Sequence, residues 1–174
     1  MLYRMDTVIA GNELESYYAE NENSFYLTSN IVRALFIKLP VETPDLNRIR
    51  LLYRSDSQKD MQELEKLCFQ FAEKFDDFNE DWITMDRLML ELNEKITDQE
   101  NFLKRNSFYE VSDSASVYLI KINDFRLRGS LAPFEYVMDD IKRIIWNNRR
   151  IEFIKNLETG IYNDAIKENE FKIY

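Results

Sequence analysis

The side chains that usually do chemistry near neutral pH are scarce in this chain. It contains no histidine. That removes Ser-His-Asp and Cys-His catalysis, histidine-ligated zinc and the common general base. Cys68 is the one cysteine, so no intrachain disulfide and no thiolate metal site can be built. It stands in the apolar run Leu67-Cys68-Phe69 with no imidazole to activate it, and reads as a small core residue. Carboxylates remain, 32 Asp and Glu in all, and their densest group is Asp76, Asp77, Glu80 and Asp81. A calcium loop needs spaced oxygens, a glycine for its sharp turn and a distal bidentate acid. This run has neither the glycine nor the alternation and reads as a solvated loop. Asp139 and Asp140 fall in the first turns of a predicted helix, where negative charge suits the helix dipole. Arg126, Arg128, Lys142, Arg143, Arg149 and Arg150 tint the last third basic, and a solvated face accounts for them. No phosphate-cradling loop or dinucleotide fingerprint occurs. No metal and no cofactor are expected.

Composition points away from nucleic acid and toward a packed core. The net charge of −9 repels phosphate backbones. Apolar residues make up 45% of the 174, enough to bury a core without disulfides. Twelve Phe, ten Tyr and two Trp exceed what a small core usually needs. That aromatic surface either belongs wholly to the core or is partly exposed in a groove that binds a partner. No run is long enough for a transmembrane helix, and the start, Met1-Leu2-Tyr3-Arg4-Met5-Asp6, has no apolar signal region. Taken alone the sequence reads cytoplasmic.

The elements that must carry these residues follow from periodicity. Asn12 with Glu15 opens a helix to about Asn21. Ile31 to Leu39 is a strong strand stopped by Pro40. Thr43-Pro44-Asp45 starts a short helix to about Arg54. Ser57, with Asp60, caps a longer one whose buried face runs Met61, Leu64, Leu67, Cys68, Phe71, Ala72 and Phe75. A helical turn covers Thr84 to Leu90, and Thr97 with Glu100 opens another short helix. Phe108 to Val111 and Val117 to Phe125 are strands across the turn Ser112-Asp113-Ser114. Pro133 to about Asn169 is helical nearly throughout, with a stripe at Val137, Ile141, Ile144, Ile151, Ile154, Ile161 and Ala165. Phe171 to Tyr174 reads as a terminal strand. The expected organisation is a lead-in helical segment at 1–28, a central domain at 29–128, and a long helix with terminal strand at 129–174. The expected class is α+β, a small antiparallel sheet flanked by short helices plus a long C-terminal helix.

Three stretches together resemble one family. Glu15-Ser16-Tyr17-Tyr18-Ala19-Glu20-Asn21-Glu22-Asn23-Ser24-Phe25 is similar to the segment leading into the parvulin-type prolyl isomerase domain of SurA/PpiC-like folding factors. Ile31-Val32-Arg33-Ala34-Leu35-Phe36-Ile37-Lys38-Leu39 is similar to that domain's first strand, V-R-A-x-H-I-L-V. Val117-Tyr118-Leu119-Ile120-Lys121-Ile122-Asn123-Asp124 is similar to its last, Y-H-I-I-K-V-x-D. Pro133 to Tyr174 resembles the helix and strand that follow. A variant group from Bacteroidetes-type bacteria looks most alike.

The departures change what the resemblance implies. The family's two histidines fall at Phe36 and Tyr118, and its Gly-Asp-Leu-Gly-Trp stretch is absent, with Asp81-Trp82-Ile83-Thr84 near its place. Phe36, Tyr118, Trp82, Met85, Leu88 and Phe102 stand as candidate peptide-binding residues, with no catalytic residue among them. The resemblance thus implies a periplasmic or envelope-associated chaperone module for unfolded polypeptide, with isomerase activity weak or lost. An active peptidyl-prolyl isomerase and a purely structural assembly module are the alternatives. The family's N-terminal helical region would precede residue 1. The 133–169 helix is expected to be covered by a second copy or by that region, the alternative being that it and helix 12–21 cover each other fully.

Overall fold

The computed structural model describes residues 8–92 and 95–167. The chain divides into two compact units. Tyr26–Ala132 forms one, and residues 8–25 with 133–167 form the other.

The first unit is built on two long antiparallel strands, β1 (Ile31–Pro40) and β5 (Ser116–Arg126), paired along their length. β2 (Lys74–Asp77) and β3 (Ile83–Thr84) pair with the outer side of β1, and β4 (Phe108–Ser112) with the outer side of β5. The strand order is β2-β1-β5-β4 and every pairing is antiparallel. Both faces of the central pair are covered, so β1 and β5 are apolar on both sides instead of alternating with polar residues. Val32, Ala34 and Phe36 of β1 join Tyr118, Ile120 and Ile122 of β5 in one cluster. The short helices α4 (Met85–Met89) and α5 (Gln99–Arg105) contribute Met85, Leu88 and Leu103 to it. Leu35, Ile37 and Leu39 join Val117 and Leu119 in the other. The helices α2 (Leu46–Leu52) and α3 (Gln58–Phe71) close that face with Ile49, Leu52, Leu64 and Cys68.

One residue of β5 is in excess. The register passes from Arg33 opposite Asp124 to Ala34 opposite Ile122, leaving Asn123 without a partner on β1. This bulge decides which side chain faces inward beyond it. Phe125 sits opposite Val32 and packs against the first cluster. An unbroken ladder would turn the carboxylate of Asp124 into that cluster and Phe125 out.

The second unit pairs α1 (Gly11–Glu20) with the first part of α6 (Phe134–Lys167). The two run antiparallel. Tyr18 meets Phe134 edge-on at 5.5 Å, while at the other end Arg149 reaches the Val8 carbonyl and the Glu13 carboxylate. Val137, Ile141 and Ile145 are buried. At 1.5 Å per residue α6 is about 51 Å long and α1 about 15 Å.

The expected α+β class and both long strands are present, as is the long helix. Several local expectations are corrected. Ala10, not Asn12, precedes the first turn of α1. α2 starts after Asp45, which takes a left-handed conformation at φ 56°, so Pro44 is outside the helix. Ser57 sits at the start of α3 but makes no side-chain cap, and Asp60 instead accepts from the Ser55 hydroxyl. Asp98, not Thr97, caps α5, accepting from the Asn101 N–H at 3.0 Å. α3 stops at Phe71, and Phe75, Asp76 and Asp77 lie in β2 instead of in a helix end and a solvated loop. Pairing with β1 overrides the helical spacing there. The α6 stripe is split: Ile144, Ile151, Ile154 and Ile161 are exposed, and Ile145 is buried instead. The expected strand at 171–174 lies outside the described residues.

Because Asn123 is surplus to the ladder, its deletion should leave a regular β5. Loss of its side chain and of the bulge should move the urea unfolding free energy by no more than about 1.5 kcal/mol. Deletion of Ile120, which would flip half the strand, should abolish cooperative unfolding. Equal loss for both deletions would contradict this register.

Candidate functional site

The sheet face carrying Phe36 and Tyr118 is where the candidate residues converge. Phe36 and Tyr118 sit on neighbouring strands, with Phe36 opposite Ile120 and Lys38 opposite Tyr118, so the two rings are diagonal neighbours on one face. Their centroids lie 6.4 Å apart, tilted at 45°. Met85 and Leu88 from α4 belong to the same cluster, and Phe102 from α5 packs against it. Phe102 itself meets Tyr109 of β4 edge-on at 4.9 Å.

This face is closed. Phe36 and Met85 are 0% exposed, Leu88 1% and Tyr118 4%. Above Phe36 the Lys74 ammonium stands 5.9 Å from the ring centroid, held by Glu91 at 2.5 Å and Asp76 at 3.2 Å. Lys38, paired with Glu73 at 2.8 Å, takes the same position 5.8 Å over Tyr118. The Tyr118 hydroxyl donates to Asp113 at 2.9 Å. Burial, and then that bond to a carboxylate, raises the phenol above its ordinary value, so it stays protonated and unreactive near neutrality. These rings build the layer that binding would have to open; only Phe102 is half-exposed.

Trp82 goes elsewhere. It immediately precedes β3, and alternation turns it to the opposite side of the sheet from Ile83. There the indole lies between two guanidinium groups, Arg33 at 4.7 Å and Arg126 at 5.3 Å from its centroid. Trp82 Nε1 and Arg33 Nε are both buried without an acceptor among the described residues.

Other polar groups have structural partners. Lys121 is buried, and its ammonium donates to the Ser55 carbonyl at 2.8 Å and to Asp56 at 2.7 Å. The Lys121 hydrogen bond holds the Asp56 carboxyl below its usual range. Arg149 is committed to Val8 and Glu13. Among the described residues no group of acids, cysteine and histidine could hold a metal ion. No helix among them is long and apolar enough to cross a membrane.

Of the residues that line the open surfaces, the sequence assigned Ile144 and Phe75 to buried helical stripes and gave Phe69 and Trp146 no binding role. In the helical unit a cleft of about 1050 Å³ lies between Ile9 and Phe25 on one side and Ile144 and Trp146 on the other. Its rim charges are neutralised within α6, Lys142 by Asp139 at 2.9 Å and Arg143 by Asp140. In the sheet unit Phe69 is 96% exposed and borders a cleft of about 550 Å³ with Phe75. A signal existed for both: Phe69 and Trp146 fall off the spacing of the apolar residues around them.

No protein-family model matches the chain, and no curated protein does. Among solved structures it is similar to one whose report describes PEB4 and Cj1289 of Campylobacter jejuni as two structurally related SurA-like chaperones. The identity is 16% and the TM-score 0.38, over 96% of this chain and 64% of that one. This chain therefore spans less than two thirds of that neighbour's length. A likeness this loose leaves function to be argued from the residues themselves.

Burial pushes the Cys68 thiol up to about 12. At pH 8 the native protein should therefore react with a thiol reagent only as fast as it opens, several orders of magnitude below a free cysteine. Labelling of folded protein at the free-thiol rate would contradict this placement.

Proposed function

We propose that this chain is a polypeptide-binding module of the folding-factor type, working in the periplasm or envelope, with prolyl isomerase activity weak or lost. The observation that carries the reading is the cleft of the helical unit. It presents Ile144 and Trp146, 37% and 40% exposed, opposite Ile9 and Phe25, with paired charges at its rim. Such a surface holds apolar side chains without demanding a fixed hydrogen-bond pattern, which suits unfolded chains of varied sequence. The resemblance to SurA/PpiC-like factors points the same way.

The closed sheet face supports the loss of isomerase activity. Prolyl rotation crosses a barrier of about 18–20 kcal/mol and needs no covalent step, but it needs a pocket that admits the prolyl ring. At the positions that resemble the family's two histidines, Phe36 and Tyr118 are buried in one cluster with Met85 and Leu88, and Lys74 lies over the Phe36 ring.

At stoichiometric amounts the protein should suppress aggregation of an unfolded client. Trp146→Ala with Ile144→Ser should reduce that effect several-fold without changing the circular dichroism. The wild type should leave the cis-to-trans rate of an X-Pro peptide within about twofold of background. Full suppression by the double variant would exclude this cleft, and strong rate acceleration would exclude the closed-site reading.

A second reading has its own observation. Beyond Arg149, α6 presents Ile151, Ile154 and Ile161, each more than 40% exposed. If that face assembles copies of the chain, sedimentation should show an oligomer that Ile151→Glu with Ile154→Glu converts to monomer. A monomeric wild type would remove this reading.

A further inference from the structure

The outer side of β2 has three features that coincide. First, among the described residues β2 pairs with β1 alone. The Phe78 N–H donates to the Ala34 carbonyl at 2.9 Å, which with the register sets Asp76 and Lys74 to bond to β1; only before the strand does an odd-numbered residue do so, Glu73 N–H to the Lys38 carbonyl at 2.9 Å. Alternation then turns the N–H and C=O of Phe75 and Asp77 away from β1, toward the free edge. Second, that edge borders an apolar cleft. Phe69, one turn beyond Glu65 on α3, is 96% exposed, and the cleft of about 550 Å³ lies between it and Phe75. An aromatic ring so fully presented to water beside a cleft has no role in the core of this unit. Third, an unpaired acid stands at that edge. Lys74 and Lys38 are engaged by Asp76, Glu91 and Glu73, while Asp77 has no ion pair among the described residues; Glu65 and Lys66, which both line the cleft, offset each other in charge.

We propose that the free edge of β2, with the cleft between Phe69 and Phe75, takes up an extended polypeptide as an added strand. The occupant's alternate residues are apolar, and it carries Lys or Arg beside Asp77. Main-chain bonds to Phe75 and Asp77 supply register, and every second side chain enters the cleft, as strand addition requires. The other edge of the sheet is less suited. On β4 the Phe108 ring packs edge-on against Tyr53 at 5.7 Å, and Glu110 is tied to Arg50 at 2.6 Å. A second copy of β2 paired with Phe75 opposite Asp77 is a poor occupant, because that register sets Asp76 against its own equivalent. The inference rests on the polypeptide-binding reading and gives it a mode, in a unit separate from the Trp146 cleft.

The test uses the full chain and a fluorescent eight-residue peptide alternating Val or Phe with Thr, ending in two lysines. Anisotropy should show saturable binding. Phe69→Ala should weaken it at least tenfold with the unfolding midpoint unchanged, and Trp146→Ala should not affect it. N-methylation of alternate peptide nitrogens on the edge-facing side should abolish binding while the other register is tolerated. The amide resonances of Phe75 and Asp77 should shift on binding. Binding insensitive to Phe69→Ala and to both methylation patterns would overturn the added strand. Absence of peptide binding, in a protein that still suppresses aggregation through Trp146, would overturn this inference alone. Absence of both activities would overturn the polypeptide-binding reading as well.

Discussion

The ladder between β1 and β5 is the interaction on which the sheet unit depends. It runs from Ile31 opposite Arg126 to Pro40 opposite Ser116, broken once at Asn123. Each strand presents apolar side chains to both faces, so a single pairing fixes two cores together. Remove it and neither layer has a floor: α2 and α3 lose Leu35, Ile37 and Leu119, while α4 and α5 lose Phe36 and Ile120. The bulge matters for the same reason. It takes up one residue so that Phe125, not Asp124, meets the apolar side. The remaining strands are short and lie at the edges, where they close the faces without setting the register.

That double burial also shapes what the protein can do. Aromatic rings on the inner strands are recruited into packing, and lysines held by Glu73, Asp76 and Glu91 lie across them. A buried tyrosine with a raised phenol and a buried thiol near 12 offer no acid, base or nucleophile near neutrality. Binding chemistry is left to surfaces that the core does not consume. These are the exposed ring of Phe69 beside a free strand edge and the cleft around Trp146. Both are apolar; the charges at the rim of the Trp146 cleft are paired within α6, and Glu65 and Lys66 line the one beside Phe69.

In the helical unit, length is the governing quantity. α1 can accompany only the first part of α6, and Arg149, bonded to Val8 and Glu13, marks the end of that pairing. Within the paired stretch Val137, Ile141 and Ile145 follow a four-residue step and are buried. Past it, Ile151, Ile154 and Ile161 are exposed although their residue type is the same. Burial here follows from having a neighbour rather than from hydrophobicity.

The sequence by itself determined the features whose signal is local. The β-branched runs of β1 and β5 and the helical period of α6 were legible, because each strand or helix writes its own period into consecutive residues. So was the absence of histidine chemistry, which needs no structure at all. Even the neighbouring placement of Phe36 and Tyr118 followed from the two strand motifs that resemble one family. Tertiary structure decided the rest. Lys74–Asp77 became a strand because β1 offered an unpaired edge, although Phe75 continued the α3 spacing. Phe36, Met85 and Leu88 became core instead of groove because α4 folds onto the sheet, and Trp82 was drawn to the other side by the alternation of β3. Phe69 is left in water because no described element faces it. In each case the deciding partner is distant along the chain, and residue type and spacing carry no record of what another segment will cover.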